Sequence, residues 1–128
     1  MHTPITAFYA ALLAILFFYL SSLVIQNRRS KKIALGDGGD KHFQQFIRAH
    51  ANFNEYVPIV LILLLIAELN GTHPALLHLS GLCMFIGRGL HSFGLCNHSG
   101  PSWQRVVGML CTFGSLLLLA ALNLLILY

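Results

Sequence analysis

The stretch from residue 5 to residue 25 constrains this chain more than any other feature, because it contains no charged residue. About 20 consecutive apolar residues are enough for a helix to cross the hydrocarbon core of a bilayer. A signal peptide would have a shorter apolar region followed by a cleavage site of small residues, and that pattern is not present here. We therefore interpret this stretch as a membrane-spanning helix that is not removed.

Three more segments are candidate spans, although they differ in polarity. Residues 106–128 are apolar almost throughout, and residues 74–95 are long enough but contain Arg88 and two histidines. The apolar run 57–67 is too short to cross alone, so its helix must begin near residue 42 and include polar side chains. The sequence thus predicts an all-α, integral-membrane four-helix bundle in a single domain, residues 1–128, with helices at about 4–27, 42–69, 74–95 and 103–127.

The overall composition agrees with a membrane protein. Hydrophobic residues make up 56% of the chain and charged residues 9%, and the mean hydropathy is +0.71. A soluble protein of this length needs more charged side chains to cover its surface, so that class is excluded. We also expect no nucleic-acid partner.

The three cysteines, Cys83, Cys96 and Cys111, are interpreted as reduced packing residues. Their number is odd and no CxxC pair occurs, so the pattern indicates neither a disulfide framework nor a zinc site. Free cysteine commonly packs as a small hydrophobic residue. Cys96 and His98 could form half of a metal site, but the sequence offers no convincing second half, and we expect no bound metal.

The positive charges predict an orientation in the membrane. All eight lysines and arginines fall at one end of the predicted bundle, at positions 28, 29, 31, 32, 41, 48, 88 and 105. Positive residues accumulate on the cytoplasmic side of membrane proteins, so the 28–41 and 96–105 loops are expected in the cytoplasm and both termini outside. The alternative for the basic loop is that it does no more than set this topology and contact anionic lipid.

The second predicted helix carries polar side chains on two faces. At 100° per residue, one face holds Gln44, Gln45, Arg48, Asn52 and Glu55. His50 and Asn54 point almost the opposite way. Neither face can lie against lipid, because unpaired polar groups are costly there. The simplest arrangement packs one face inside the subunit and the other against a neighbouring subunit, so the pattern favours an oligomer.

The arginines near the basic end outnumber the carboxylates that could pair with them. Arg28, Arg48, Arg88 and Arg105 converge there, and Glu55 is the one carboxylate predicted to lie among them. Because arginine keeps its charge, we expect an anionic ligand, most simply one with carboxylates. Glu55 would then meet an ammonium group of that ligand. The alternative is an Arg48–Glu55 ion pair that only holds the bundle together.

The third and fourth helices supply further candidates. Arg88, His91, Ser92 and Leu95 share one face of the third helix, where His91 is either a structural residue or a ligand contact. Arg105 stands at the polar start of the fourth helix, where its charge could act on a reacting group. A stripe of small residues follows, which consists of Gly108, Cys111, Thr112 and Ser115. We expect this stripe to allow close packing against another helix.

Several segments resemble the MAPEG family, the membrane-associated proteins of eicosanoid and glutathione metabolism. They are VIQNRR, the GDGG loop, RAHANFNEYVPI, ELNG, GRGLHSFG and PSWQR, and together they cover most of the chain. The pattern RxHxNxxEYxP is specific, and the chain looks like the short bacterial branch. The resemblance implies a subunit of the bacterial inner membrane that forms a homotrimer and binds glutathione between neighbouring subunits, near the cytoplasmic face.

The resemblance also implies roles for particular residues. One subunit would bind glutathione through Arg48, Asn52, Glu55, Tyr56, Arg88 and His91, and its neighbour would contribute Arg28, His50 and Arg105. Arg105 matches the family's thiolate-stabilising arginine, which implies a glutathione transferase or peroxidase that acts on a hydrophobic electrophile or lipid from the bilayer.

Two features depart from the family pattern. Leu95 replaces a tyrosine that often contacts glutathione, and the loop before Arg105 needs a small gap adjustment. The lipoxygenase-activating member of the family implies the alternative function, which is binding of lipid or glutathione without catalysis.

Overall fold

The computed structural model describes residues 2–125, which form four α-helices joined by short connections. The helices are α1 (Pro4–Lys31), α2 (Lys41–Leu69), α3 (Pro74–Asn97) and α4 (Trp103–Leu125). The predicted all-α four-helix architecture is confirmed. α1 runs one turn beyond its predicted end, because its basic last turn continues the helix past the apolar stretch. Residues 126 and 127, predicted as the end of the fourth helix, lie outside the described part of the chain.

The connection between α1 and α2 is fixed by one carboxylate. Asp40 is the N-cap of α2, where its side chain accepts a hydrogen bond from the Phe43 backbone N–H at 2.9 Å. Lys31, in the last turn of α1, pairs with the same side chain. The Lys31 ammonium, together with the Phe43 N–H, holds the pKa of Asp40 below its usual value. The cap therefore stays ionised and ties the end of α1 to the start of α2.

The opposite end of α1 is capped by a side chain from α2. This contact was not predicted from the sequence. Glu68 accepts hydrogen bonds from the backbone N–H groups of Ile5 at 2.9 Å and Thr6 at 2.7 Å. Because Pro4 opens the helix, these N–H groups have no partner within α1. A carboxylate also interacts favourably with the positive end of the helix dipole. Glu68 thus joins the start of α1 to the end of α2.

The bundle has α2 and α3 at its centre. Each of these two helices contacts the other three, whereas α1 and α4 do not touch each other within residues 2–125. The core consists of apolar side chains from all four helices, among them Leu13, Val60, Leu64, Met84 and Leu119. α1 and α4 therefore flank the α2–α3 pair on separate sides, and each side has its own groove.

The closest helix pair is α3 and α4, which meet at two glycines. A Cβ added to Gly108 would lie 2.6 Å from the Gly87 carbonyl oxygen and 2.7 Å from the His91 backbone nitrogen. Thr112 and Ser115 continue the buried face of α4, and Ser115 Oγ donates to the Ser80 carbonyl at 2.9 Å. The predicted packing role of the small-residue stripe is confirmed.

The outer surface of the bundle is apolar, as a bilayer requires. Large exposed hydrophobic side chains occur on every helix, for example Ile15, Phe18, Ile62, Phe93 and Leu117. By length and composition, α1, α2 and α4 can each cross a membrane. α3 has 24 residues but is not among them, and it buries its polar residues Arg88, His91 and Ser92 inside the bundle. The chain is an integral membrane protein with four helices, and the homotrimer remains a prediction.

Candidate functional site

The exposed face of α2 carries a chain of three polar side chains. Arg48 Nη1 lies 3.5 Å from Glu55 Oε1, and Asn52 Nδ2 lies 3.4 Å from Glu55 Oε2. Residues three, four and seven positions apart on a helix are neighbours, so the spacing predicted from the sequence brings them together. The Arg48 and Glu55 side chains are about half exposed, at 53% and 50%. Their ion pair is therefore weak, and both groups remain accessible to a ligand.

Arg88 connects this face to the interior of the bundle. It is only 1% exposed. One terminal nitrogen, Nη1, donates to Asn52 Oδ1 at 2.6 Å, and the other, Nη2, lies 3.2 Å from Met109 Sδ. The guanidinium carbon sits 5.2 Å from the centre of the Tyr56 ring, which is a cation–π contact. Arg88 Nε has no hydrogen-bond partner among the described residues.

Among the described residues, no carboxylate forms an ion pair with Arg88. Within residues 2–125 there are two ion pairs, Lys31–Asp40 and Arg48–Glu55. The partners of Arg88 are an amide, a thioether and an aromatic ring, and none of them carries a full negative charge. Burying a charge without an opposite charge is unfavourable. The contacts of Arg88 within the described residues therefore leave its charge unbalanced.

His91 and Arg105 line one groove beside α4. The groove has a volume of about 380 Å³ and an apolar wall that includes Val106, Met109 and Phe113. His91 is 6% exposed, and its Nδ1 atom has no hydrogen-bond partner within the described chain. Since Met109 also contacts Arg88, the groove adjoins the buried arginine.

Arg105 is held by the loop that precedes α4. Its Nη1 atom donates to the Gly100 carbonyl at 3.1 Å, and its backbone N–H donates to Ser102 Oγ at 3.4 Å. Gly94 of α3 allows this close approach, because an added Cβ would lie 2.9 Å from Arg105 Cγ. These partners are neutral, so they leave the positive charge of the guanidinium unbalanced at the edge of the groove.

Arg28 and His50 lie apart from this group within the single subunit. Arg28 Nη1 donates to the Gly36 carbonyl at 3.0 Å, and its guanidinium lies over the Phe43 ring. His50 Nε2 is 3.1 Å from Ser21 Oγ of α1, and its ring stacks on Phe17 at 4.9 Å. Within the single subunit, His50 thus packs against α1.

The structure brings several of the predicted residues together from separate parts of the sequence. One continuous group contains Arg48, Asn52, Glu55, Tyr56 and Arg88, and the adjoining groove contains His91 and Arg105. Sequence reasoning missed Met109, which contacts Arg88 and lines the groove. Its position one turn after Arg105 on α4 was the available signal. Leu95 packs against the apolar core.

The described residues contain no cluster suited to a metal ion. No group of three or more histidine, cysteine, aspartate or glutamate side chains comes together within residues 2–125. Cys83, Cys96 and Cys111 are free thiols.

The fold and this set of residues define a small helical membrane protein with a buried polar cluster. The MAPEG family model matches residues 6–125, so the chain belongs to the MAPEG family. It is 38% identical over 120 residues to the inner membrane protein YecN of Escherichia coli strain K12, and equally to the YecN of strain O6:H1. Each match covers 94% of this chain and 90% of the relative. Together with its apolar helices, this makes the chain an integral inner-membrane protein.

Proposed function

We propose that the protein binds glutathione at the basic end of the bundle and is a glutathione transferase or peroxidase. The observation that supports this most is Arg88, a buried cation that has no carboxylate partner among residues 2–125. Glutathione carries two carboxylates, one ammonium group and one thiol, so it complements an arginine-rich site that also contains a single glutamate. Membership of the MAPEG family makes this chemistry plausible.

Each polar residue has a proposed role towards the peptide. Arg48 and Arg88 bind its carboxylates, Asn52 and His91 supply further hydrogen bonds, and Tyr56 packs against Arg88. Glu55 meets the ammonium group. In a homotrimer, Arg28, His50 and Arg105 of the adjacent subunit would complete the site. The exposed Arg48–Glu55 face of α2 suits such an interface, because polar groups facing lipid would be costly.

Arg105 is the proposed catalytic residue because its charge favours the thiolate. A free thiol titrates near pH 8.5, and adjacent positive charge lowers this to about 3.5–7.5. One guanidinium about 4 Å away supplies up to roughly 4 kcal/mol at an effective dielectric constant near 20, whereas each pKa unit corresponds to about 1.4 kcal/mol. The thiol proton passes to water, and the thiolate then attacks a hydrophobic electrophile that enters from the bilayer. A carbon–sulfur bond forms as the leaving group departs with its electron pair.

The test of this mechanism is the Arg105→Ala variant. We expect the ultraviolet absorbance of bound glutathione thiolate to fall at neutral pH by at least tenfold, because the charge that favours ionisation is lost. Binding of S-methylglutathione, which has no ionisable thiol, should change by less than about threefold. Arg29→Ala is the matched control, since Arg29 is exposed at the end of α1. An Arg105→Ala variant that ionises glutathione as well as the parent protein would refute the assignment.

The second candidate function is binding without catalysis. It is favoured by the hydrogen bond from Arg105 to the Gly100 carbonyl, which gives this arginine a structural role in the loop. This version predicts saturable binding of glutathione or a lipid with no turnover of halonitrobenzenes or hydroperoxides. A turnover assay on the purified protein separates the two functions.

The proposed orientation places the site at the cytoplasmic face. The 28–41 and 96–105 loops would lie in the cytoplasm and both chain termini outside, in accordance with the positive-inside rule. Glutathione is then available from the cytoplasm, and the electrophile from the membrane.

A further inference from the structure

We propose that the groove between α1 and α3 binds one acyl chain of an anionic phospholipid. The groove lies on the side of the bundle away from α4, and none of the candidate site residues lines it. This lipid site is independent of the proposed reaction with glutathione.

The groove consists of two adjoining cavities. One has a volume of about 580 Å³ and the other about 290 Å³, and both are lined by Leu16, Tyr19 and Gly89. Gly89 borders the open space between the helices, since a Cβ added to it would meet no atom within 4 Å. The walls of the larger cavity are almost entirely apolar, whereas the smaller cavity also has polar lining residues, Ser92 and Asn97. The groove is therefore apolar along most of its length and becomes polar at one end.

The length of the groove matches one leaflet. On α1 the lining runs from Leu12 to Leu23, which is about 17 Å at 1.5 Å per residue. On α3 it runs from Phe85 to Asn97, about 18 Å. Half of the hydrocarbon core of a bilayer is about 15 Å. A single acyl chain in one leaflet would thus fill the groove from end to end.

The polar end of the groove coincides with the basic end of the bundle. Asn97 lines the groove there, together with Leu23 and Phe46. Asn27 follows Leu23 by one turn of α1, and the His42 ring packs edge-on against Phe46 at 5.0 Å. The 28–41 segment that begins here contains five basic and two acidic side chains. A phosphate headgroup at this end would meet hydrogen-bond donors and net positive charge.

These observations favour a phospholipid over the other possible occupants. If a second copy of this chain occupied the groove, an apolar helix that crosses the whole membrane would lie against a groove that ends halfway across it. An acyl chain ends at the same depth and carries its charge where the groove becomes polar. A neutral hydrophobic molecule would fit the apolar walls but would gain nothing from the basic end.

The test compares two matched variants, Gly89→Leu and Gly114→Leu. Gly89 lies in the groove and Gly114 on α4, and at both positions an added Cβ meets no atom within 4 Å. The delipidated proteins are incubated with dioleoylphosphatidylglycerol or dioleoylphosphatidylcholine in mild detergent. Bound lipid per subunit is then counted by native mass spectrometry. Should Gly89→Leu fail to fold, Ile86→Trp fills the same groove from an exposed position.

We expect the parent protein and Gly114→Leu to retain one phosphatidylglycerol per subunit. Gly89→Leu should bind it at least tenfold more weakly, and phosphatidylcholine should bind the parent protein at least fivefold more weakly. Glutathione binding should be the same in all three proteins, which separates this site from the proposed function. Undiminished lipid binding by Gly89→Leu, equal binding of the two lipids, or loss of the oligomer instead of the lipid would overturn the proposal.

Discussion

At the scale of single residues, the proposed binding site depends on how the charge of Arg88 is balanced. Its guanidinium is buried against Asn52, Met109 and Tyr56. An amide can accept its hydrogen bond but cannot neutralise it. We propose that the balancing charge comes from a ligand, which would make this position a binding site and not a structural ion pair.

The Asn52→Asp substitution tests this proposal. It places a carboxylate at the atom that lies 2.6 Å from Arg88 Nη1, so the positive charge is balanced inside the subunit. We expect glutathione to bind at least tenfold more weakly, since a charge-assisted hydrogen bond contributes about 1.5–3 kcal/mol. Isothermal titration calorimetry would measure the change.

The control for this substitution is Asn70→Asp, the same change at the C-cap of α2. It should leave glutathione affinity within about twofold of the parent protein, because its charge lies about 27 Å away along the helix axis at 1.5 Å per residue. If Asn52→Asp bound glutathione as tightly as the parent, the charge of Arg88 would have no part in recognition.

At the scale of helices, the site depends on the contact between α3 and α4. Gly87 and Gly108 bring the two helices close enough for Met109 to reach Arg88 and for Arg105 to lie beside Gly94. The small-residue stripe is therefore part of the geometry of the groove as well as of its packing. A wider helix separation would move Arg105 and His91 relative to the buried arginine.

We expect Gly108→Ala to destabilise the bundle by about 1–3 kcal/mol, the usual effect of overpacking. Its new methyl group would lie 2.6 Å from the Gly87 carbonyl oxygen, so the helices must separate. Gly114→Ala has free space around it and should be neutral or stabilising by up to about 1 kcal/mol, because alanine favours helix. Denaturation in detergent, followed by circular dichroism, compares the two. Equal stabilities would show that the close contact is not required.

The positions of the helices were predictable from the sequence, because hydrophobic periodicity and the length of an apolar run are local properties. Several contacts of the site depend instead on tertiary packing. The face shared by Arg48, Asn52 and Glu55 follows from 3.6 residues per turn. The role of Glu68 as a cap for α1 could not be read from α2, since its partners lie more than 60 residues earlier. The two faces of α2 were predictable, but not which of them would pack against α1.

At the scale of the whole molecule, the two sides of the bundle differ in what they present. The α2 and α4 side presents Arg48 and Arg105, with a groove lined by His91 and Arg105, and is the proposed interface between subunits. The α1 and α3 side presents an apolar groove of the depth of one leaflet. A soluble anionic peptide and a membrane lipid would therefore approach on separate surfaces.

The most direct test of a cationic site for an anionic thiol peptide is calorimetric titration of the purified protein with glutathione and with its dimethyl ester. We expect saturable binding of glutathione. At a ligand concentration one hundredfold above Kd, the free energy of unfolding should increase by about 2.7 kcal/mol. The ester, which has lost both carboxylates, should bind at least a hundredfold more weakly. Equal binding of the two compounds, or no binding of either, would contradict the existence of a cationic site completed by an anionic thiol peptide.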